Sequence, residues 1–169
     1  IRSIYMVIMM PIFSLSNTTN TLVSNLIGQN EYDKIFLLIK RITILALTIN
    51  VIMLIINVLF PEQIIGVYTN DQSLIKEAIN TLYIISLTMF VFSFAIIRFS
   101  AISGTGNTLI ALKIEIISIA IYLLVAFTAV KYFIMPVEIV WCSEFIYFSV
   151  LGGISYYFLK KNKLKEINI

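Results

Sequence analysis

Two carboxylates border segments that are otherwise free of Asp, Glu, Lys and Arg: Glu115 precedes the run 116–130, and Glu144 precedes the run 145–159. A carboxylate inside an apolar helix is unfavourable unless it is paired, hydrated or used to bind a proton or cation. Glu115, Ser118 and Tyr122 are spaced by three and four, which sets a carboxylate, a hydroxyl and a phenol on one helical face. Pairing with Lys113 or Arg98 at the interface is the structural alternative for Glu115; proton or cation coupling is the functional one. Glu144 lies one turn past Trp141, and Glu138 sits at the entry of the same segment. Trp141 reads as an interfacial belt residue and Arg98 as a cation snorkelling to the headgroups.

A second constellation is uncharged. Ser14, Asn17, Thr21, Ser24 and Gly28 recur every three or four residues, with Asn20 and Asn25 flanking them. An Asn facing hydrocarbon without a partner is costly, so this stripe must meet protein or a water-filled cavity. Helix packing through small and hydroxyl residues remains open beside a transport cavity. Thr43, Asn50 and Asn57 recur at one heptad, as do Ser86, Ser93 and Ser100. Polar faces on several successive spans favour a cavity within a bundle, the usual setting of a secondary transporter.

Soluble-type catalysis has no residues to run on. The chain lacks His, and Cys142 is its lone thiol, which excludes an internal disulfide and argues against a protein-ligated zinc, haem or iron–sulfur site. No nucleophile–base pair or Walker A motif is present, and "SGTGNT" does not follow a strand. No catalytic residue, metal ligand, organic cofactor or nucleic-acid partner is expected.

These residues must be positioned by membrane helices. Of 169 residues, 60% are hydrophobic and only 12% charged, with a mean hydropathy of +0.98, against roughly 25% charged residues in soluble domains. A span needs about 20 apolar residues, and the charge-free runs predict five, at about 4–27, 42–60, 78–103, 109–133 and 137–159, followed by a basic tail at 160–169. The fold class is therefore an all-α polytopic transmembrane helix bundle; the short alternating segments of a β-barrel are absent. Within the second connection, Pro61 ends the second span, Ile64, Ile65, Val67 and Tyr68 suit the interface, and Asp71 or Ser73 suits the cap of the third span. Pro136 suits the first turn of the fifth, and Gly152, Gly153 and Ser155 suit close packing of it. The face bearing Lys34, Lys40, Arg41, Arg98, Lys113 and the tail lysines collects nine of the 12 Lys and Arg, which puts the C-terminus in the cytoplasm. A chain beginning with Ile on the far side, without a signal segment, is expected to be the tail of a longer protein.

In order, "TNTLVSNLIGQNEYDKI", "LFPEQIIGVYTND", "FSAISGTGNT" and "VWCSEFIYF" resemble the C-terminal part of multidrug and toxic compound extrusion (MATE) transporters. The likeness spans nearly the whole chain and is greatest to the bacterial branch with the "SGTGNT" turn and a Trp-x-x-Glu in its last helix. It implies a twelve-helix protein of two pseudosymmetric lobes, of which these spans are the eighth to twelfth. It further implies a bacterial inner-membrane antiporter exporting small amphipathic, often cationic compounds by alternating access against Na⁺ or H⁺, its partners being the bilayer and the missing N-terminal lobe.

By that likeness the first span faces the cleft, making Asn17, Asn20, Thr21 and Ser24 substrate candidates, joined by Ser93. Gly28 and Gln29 become a structural turn, Gly28 allowing close approach and Gln29 satisfying helix-end carbonyls; Gly104 and Gly106 form another. Some members carry a cation-binding carboxylate in the tenth helix, where this chain has Phe92 and Ser93. Coupling then falls to Glu115, Tyr122 and Glu144, or to the missing portion. A lipid-linked precursor flippase of the same superfamily and a non-transporting membrane scaffold are the competing functions. Arg98 is the sole Arg or Lys near mid-span, too little positive charge for a flippase cavity.

Overall fold

The computed structural model describes residues 2–69, 71–131 and 137–161, at positions 2, 130 and 137–142 by backbone alone. Regular structure among them is entirely helical. The elements are α1 (Arg2–Gly28), α2 (Ile35–Leu59), α3 (Pro61–Gly66), α4 (Gln72–Gly104), α5 (Thr108–Lys131) and α6 (Val137–Lys161), with a 3₁₀ turn at Tyr32–Lys34. Pro136, the 132–133 end of the fourth expected span, the tail from 162 onward, and the side chains of Glu138, Trp141 and Cys142 lie outside what is described.

The long helices extend past the charge-free runs that announce them. Lys40 and Arg41 fall inside α2, and Lys76 and Glu77 inside α4, because exposed charges near a helix end reach solvent without breaking the backbone ladder. Three of the helical segments, Tyr32–Leu59, Gln72–Gly104 and Thr108–Ala129, are long and apolar enough to cross a membrane by length and composition. At 27 and 25 residues, α1 and α6 are also of spanning length, and the polar stripe dilutes the apolar character of α1.

Local chemistry sets the ends. α1 closes in a Schellman turn: Asn30 takes the left-handed conformation (φ 59°), its N–H donates to Ile27 O, and the Glu31 N–H donates to Leu26 O. Pro61 opens α3 at its first turn. Asp71 caps α4, accepting from the Ser73 N–H at 2.9 Å and from the Ser73 hydroxyl at 2.7 Å. Those bonds hold the Asp71 carboxyl below its ordinary value. Beyond Gly104 the chain turns through Gly106 at φ 82°, a conformation that favours glycine.

α4 is the axis of the bundle, packed by α6, α1 and α2 and touched by α3 and α5. Its length of 33 residues gives about 50 Å, more than the roughly 30 Å hydrocarbon core. Large buried residues such as Leu82, Ile85, Met89 and Phe92 alternate with small ones such as Ser86, Ser93, Ala95 and Ala101. The small residues admit neighbouring backbones and the large ones fill the layers between them. Rings link four helices in sequence: Phe13 packs edge-on against Phe92 at 5.4 Å, Phe92 on Phe148 at 4.8 Å, Phe148 on Tyr147 at 4.9 Å and Tyr147 on Tyr122 at 5.9 Å.

Candidate functional site

The carboxylates of Glu115 and Glu144 come to one side of the bundle, each held by a tyrosine. Tyr147 of α6 donates its hydroxyl proton to Glu115 Oε1 of α5 at 2.6 Å. Tyr5, near the start of α1, donates to Glu144 Oε2 of α6. Tyr122 stacks edge-on against Tyr147. A hollow of about 210 Å³ opens among Tyr122, Glu144 and Tyr147, walled by Ile119 and Leu123. Glu115, Tyr122 and Glu144 therefore occupy one neighbourhood, although they come from two helices. Neither Lys113 nor Arg98 pairs with Glu115; its described partner is the phenol. Ser118, on the same helical face by spacing, is buried and turns its hydroxyl onto its own helix at Ile114 O, 2.8 Å away.

Tyr5 and Tyr147 are absent from the sequence-based candidates. A signal existed for Tyr147, which lies three residues after Glu144 and so shares its face. A phenol within an apolar helix also needs a partner for its hydroxyl. Nothing local pointed to Tyr5, whose partner is 139 residues away.

The α1 stripe turns away from the helices of this chain. Ile4, Ile8, Ile12, Ser16, Thr19 and Val23 form the buried face, while Ser14, Asn17, Thr18, Thr21, Ser24, Asn25 and Gly28 are exposed. The exposed hydroxyls largely satisfy themselves: Ser14, Thr18 and Thr21 each bond the carbonyl four residues back. The amides of Asn17, Asn20 and Asn25 make no hydrogen bond among the described residues. Ser24 alone of the stripe reaches another helix, donating to Gly104 O at 2.9 Å.

Ser93 does not join this face. It is fully buried and accepts a 2.7 Å hydrogen bond from Asn50 Nδ2 of α2, which also donates to Met89 O at 2.8 Å. One heptad away Asn57 Nδ2 donates to Ser86 Oγ at 2.8 Å. The two heptad patterns are thus the halves of one antiparallel ladder between α2 and α4, and Ser93, a cleft candidate by resemblance, lies within that ladder. The third rung is diverted: Thr43 bonds back to Ile39 O at 2.7 Å, and Ser100 meets Ser16 of α1.

The glycines divide likewise. A Cβ on Gly104 would meet Asn20 O at 2.6 Å and Val23 Cβ at 3.0 Å, so α1 and α4 touch backbone to backbone there. One on Gly28 would meet nothing within 4 Å. The close approach expected at Gly28 belongs within this chain to Gly104, and the residue that turns the end of α1 is Asn30. Gln29 takes part through its backbone N–H, which donates to Asn25 O at 3.1 Å.

Comparison with known proteins agrees with this architecture. A family model for MatE matches residues 1–128. Over 125 residues the chain is 37% identical to a probable multidrug resistance protein NorM of Thermotoga maritima, an alignment covering 73% of this chain and 27% of that protein. The matched stretch is thus little more than a quarter of the relative's length. A family model covering residues 1–128 of 169, on an all-helical bundle with membrane-spanning segments, shows that the chain belongs to the MatE, or multidrug and toxic compound extrusion, family.

Proposed function

We propose that the protein carrying this chain exports amphipathic, often cationic drugs and toxins in exchange for Na⁺ or H⁺, and that this chain is the C-terminal part of its transport unit. On this reading it lies in a bacterial inner membrane with its C-terminus in the cytoplasm. The observation that carries the proposal is the α1 stripe, a row of mostly exposed amides and hydroxyls of which only Ser24 hydrogen-bonds another helix among the described residues. Inside a bilayer such a face requires water, substrate or a second lobe opposite it. The relative's name, a multidrug resistance protein, supports the same substrate class.

Coupling is assigned to Glu144 and Glu115. The bond from Tyr5 to an ionised Glu144 ties the start of α1 to α6. Protonating that carboxylate, or placing a cation on it, removes the charge assistance and competes for the acceptor oxygens. The hold of α6 on α1 then follows the loading of Glu144. Pro11 lies between Tyr5 and the stripe and interrupts the helix ladder, freeing the Val7 carbonyl from its usual donor. A change at Tyr5 is in this way transmitted to the angle of the stripe through a pre-weakened point, as alternating access requires.

The test uses the full-length protein in a host lacking its own drug pumps. Expression should lower ethidium accumulation; Glu144→Gln and Glu115→Gln should each reduce ion-dependent efflux while leaving protein levels unchanged. Unchanged accumulation, together with no ion-dependent flux of any cationic dye tried, removes the proposal in favour of a scaffold role.

A further inference from the structure

A second polar feature lies away from both the stripe and the tyrosine–carboxylate cluster. Between α2 and α6, side by side on α4, runs a groove of about 340 Å³ lined by Phe36, Ile44, Tyr156 and Leu159 together with Lys40 and Arg98. No carboxylate lines it among the described residues. Arg98 is half-buried, its guanidinium 3.3 Å from the centre of the Phe94 ring and 5.9 Å from that of Tyr156. Of its five N–H donors, one is used among the described residues, on Phe94 O at 2.9 Å. Neither Arg98 nor Lys40 forms an ion pair among those residues. A guanidinium fixed by stacking and left with free donors is suited to a bidentate oxyanion acceptor. The same end of the bundle carries Arg41 on α2, Lys113 on α5, and Lys160 and Lys161 on α6.

We propose that this groove is a binding site for an anionic phospholipid, its phosphate on Arg98 and Lys40 and an acyl chain along the apolar wall. Charge complementarity selects the headgroup: two cations without a carboxylate favour a lipid of net negative charge over a zwitterion. The apolar wall selects a lipid over free phosphate, because Ile44, Leu159 and Phe36 offer an inorganic anion nothing. Basic pockets between helices at a membrane interface recognise anionic headgroups by this combination. The site is independent of whether the protein exports drugs.

The experiment takes the full-length protein, stripped of lipid in dodecyl maltoside, and measures by native mass spectrometry the affinity for dioleoyl phosphatidylglycerol, dioleoyl phosphatidylcholine and inorganic phosphate. Phosphatidylglycerol should bind more tightly than phosphatidylcholine, and inorganic phosphate should not displace it. Arg98→Gln and Lys40→Gln should each weaken phosphatidylglycerol about fivefold and leave phosphatidylcholine unchanged. Lys76→Gln, at the opposite end of the bundle, should alter neither. Lys40 is exposed, so its variant carries the test if Arg98→Gln fails to fold. Equal affinity for the two lipids, or a preference untouched by the groove substitutions, overturns the proposal. Displacement by inorganic phosphate also overturns it, since the groove would then be an anion site without a lipid.

Discussion

Asn50 holds two acceptors on α4 with one amide group, and its removal tests how much such a bond contributes in a bilayer. Asn50→Ala frees Ser93 to turn back onto its own helix, so the loss is limited by that alternative. A double-mutant cycle between Asn50→Ala and Ser93→Ala, read by reversible denaturation in detergent, should give a coupling of roughly 0.6 kcal/mol and no more than about 1.7 kcal/mol. Ser155 poses the opposite case. Its hydroxyl is buried with no hydrogen bond among the described residues, so Ser155→Ala should leave the thermal midpoint unchanged or raise it. At this scale the sequence was legible where chemistry is rare: Glu115 and Glu144 stand out in apolar surroundings. It was silent on Tyr5, because a tyrosine near a helix start looks like any interfacial aromatic until its partner on α6 is in place.

Helix contacts make the glycines unequal. Gly104→Ala drives a methyl into the α1 backbone, which cannot yield as a flexible side chain would. It should destabilise the bundle by about 1 to 3 kcal/mol. Gly152→Ala meets Ala95 at 3.1 Å and should cost less. Gly28→Ala meets open space and should be neutral or slightly stabilising, since alanine favours the helix. Melting of the three purified variants ranks them. The cap of α4 adds a pH dependence. The Asp71 carboxyl is lowered on folding, so its contribution is present above the ordinary carboxylate range and fades as pH falls through the lowered folded value. Amide exchange at Ser73 and Leu74, corrected for intrinsic rates, should accelerate in acid for the parent protein and stay flat for Asp71→Asn, which caps without titrating. Hydropathy located the long helices well but truncated α2 and α4, because it counts a charge as an ending. The heptads of Asn and Ser were visible on each helix; that one was the complement of the other was not, since periodicity defines a face and leaves its neighbour unnamed.

For the whole molecule, the decisive contrast is between the α1 stripe and the α2–α4 ladder, which are alike in composition and opposite in placement. In a cysteine-free full-length protein, Asn17→Cys and Thr21→Cys should react with a water-soluble maleimide, and Ser93→Cys should resist it. Protection at all three would mean that another surface lies dry against the stripe and would favour a scaffold. Composition made the membrane bundle legible; which polar row faces inward is decided by the crossing of helices far apart in sequence. The ladder also imposes an order on synthesis. The amide of Asn50 leaves the ribosome 43 residues before the serine that satisfies it, a wait of roughly 2 to 9 s at ordinary elongation rates. Until α4 follows, α2 holds two bare amides in the bilayer, open to whatever polar group passes. The chain is therefore most vulnerable to mispairing and quality-control capture in the interval between α2 and α4, when the amides of α2 are already made and their serine partners are not.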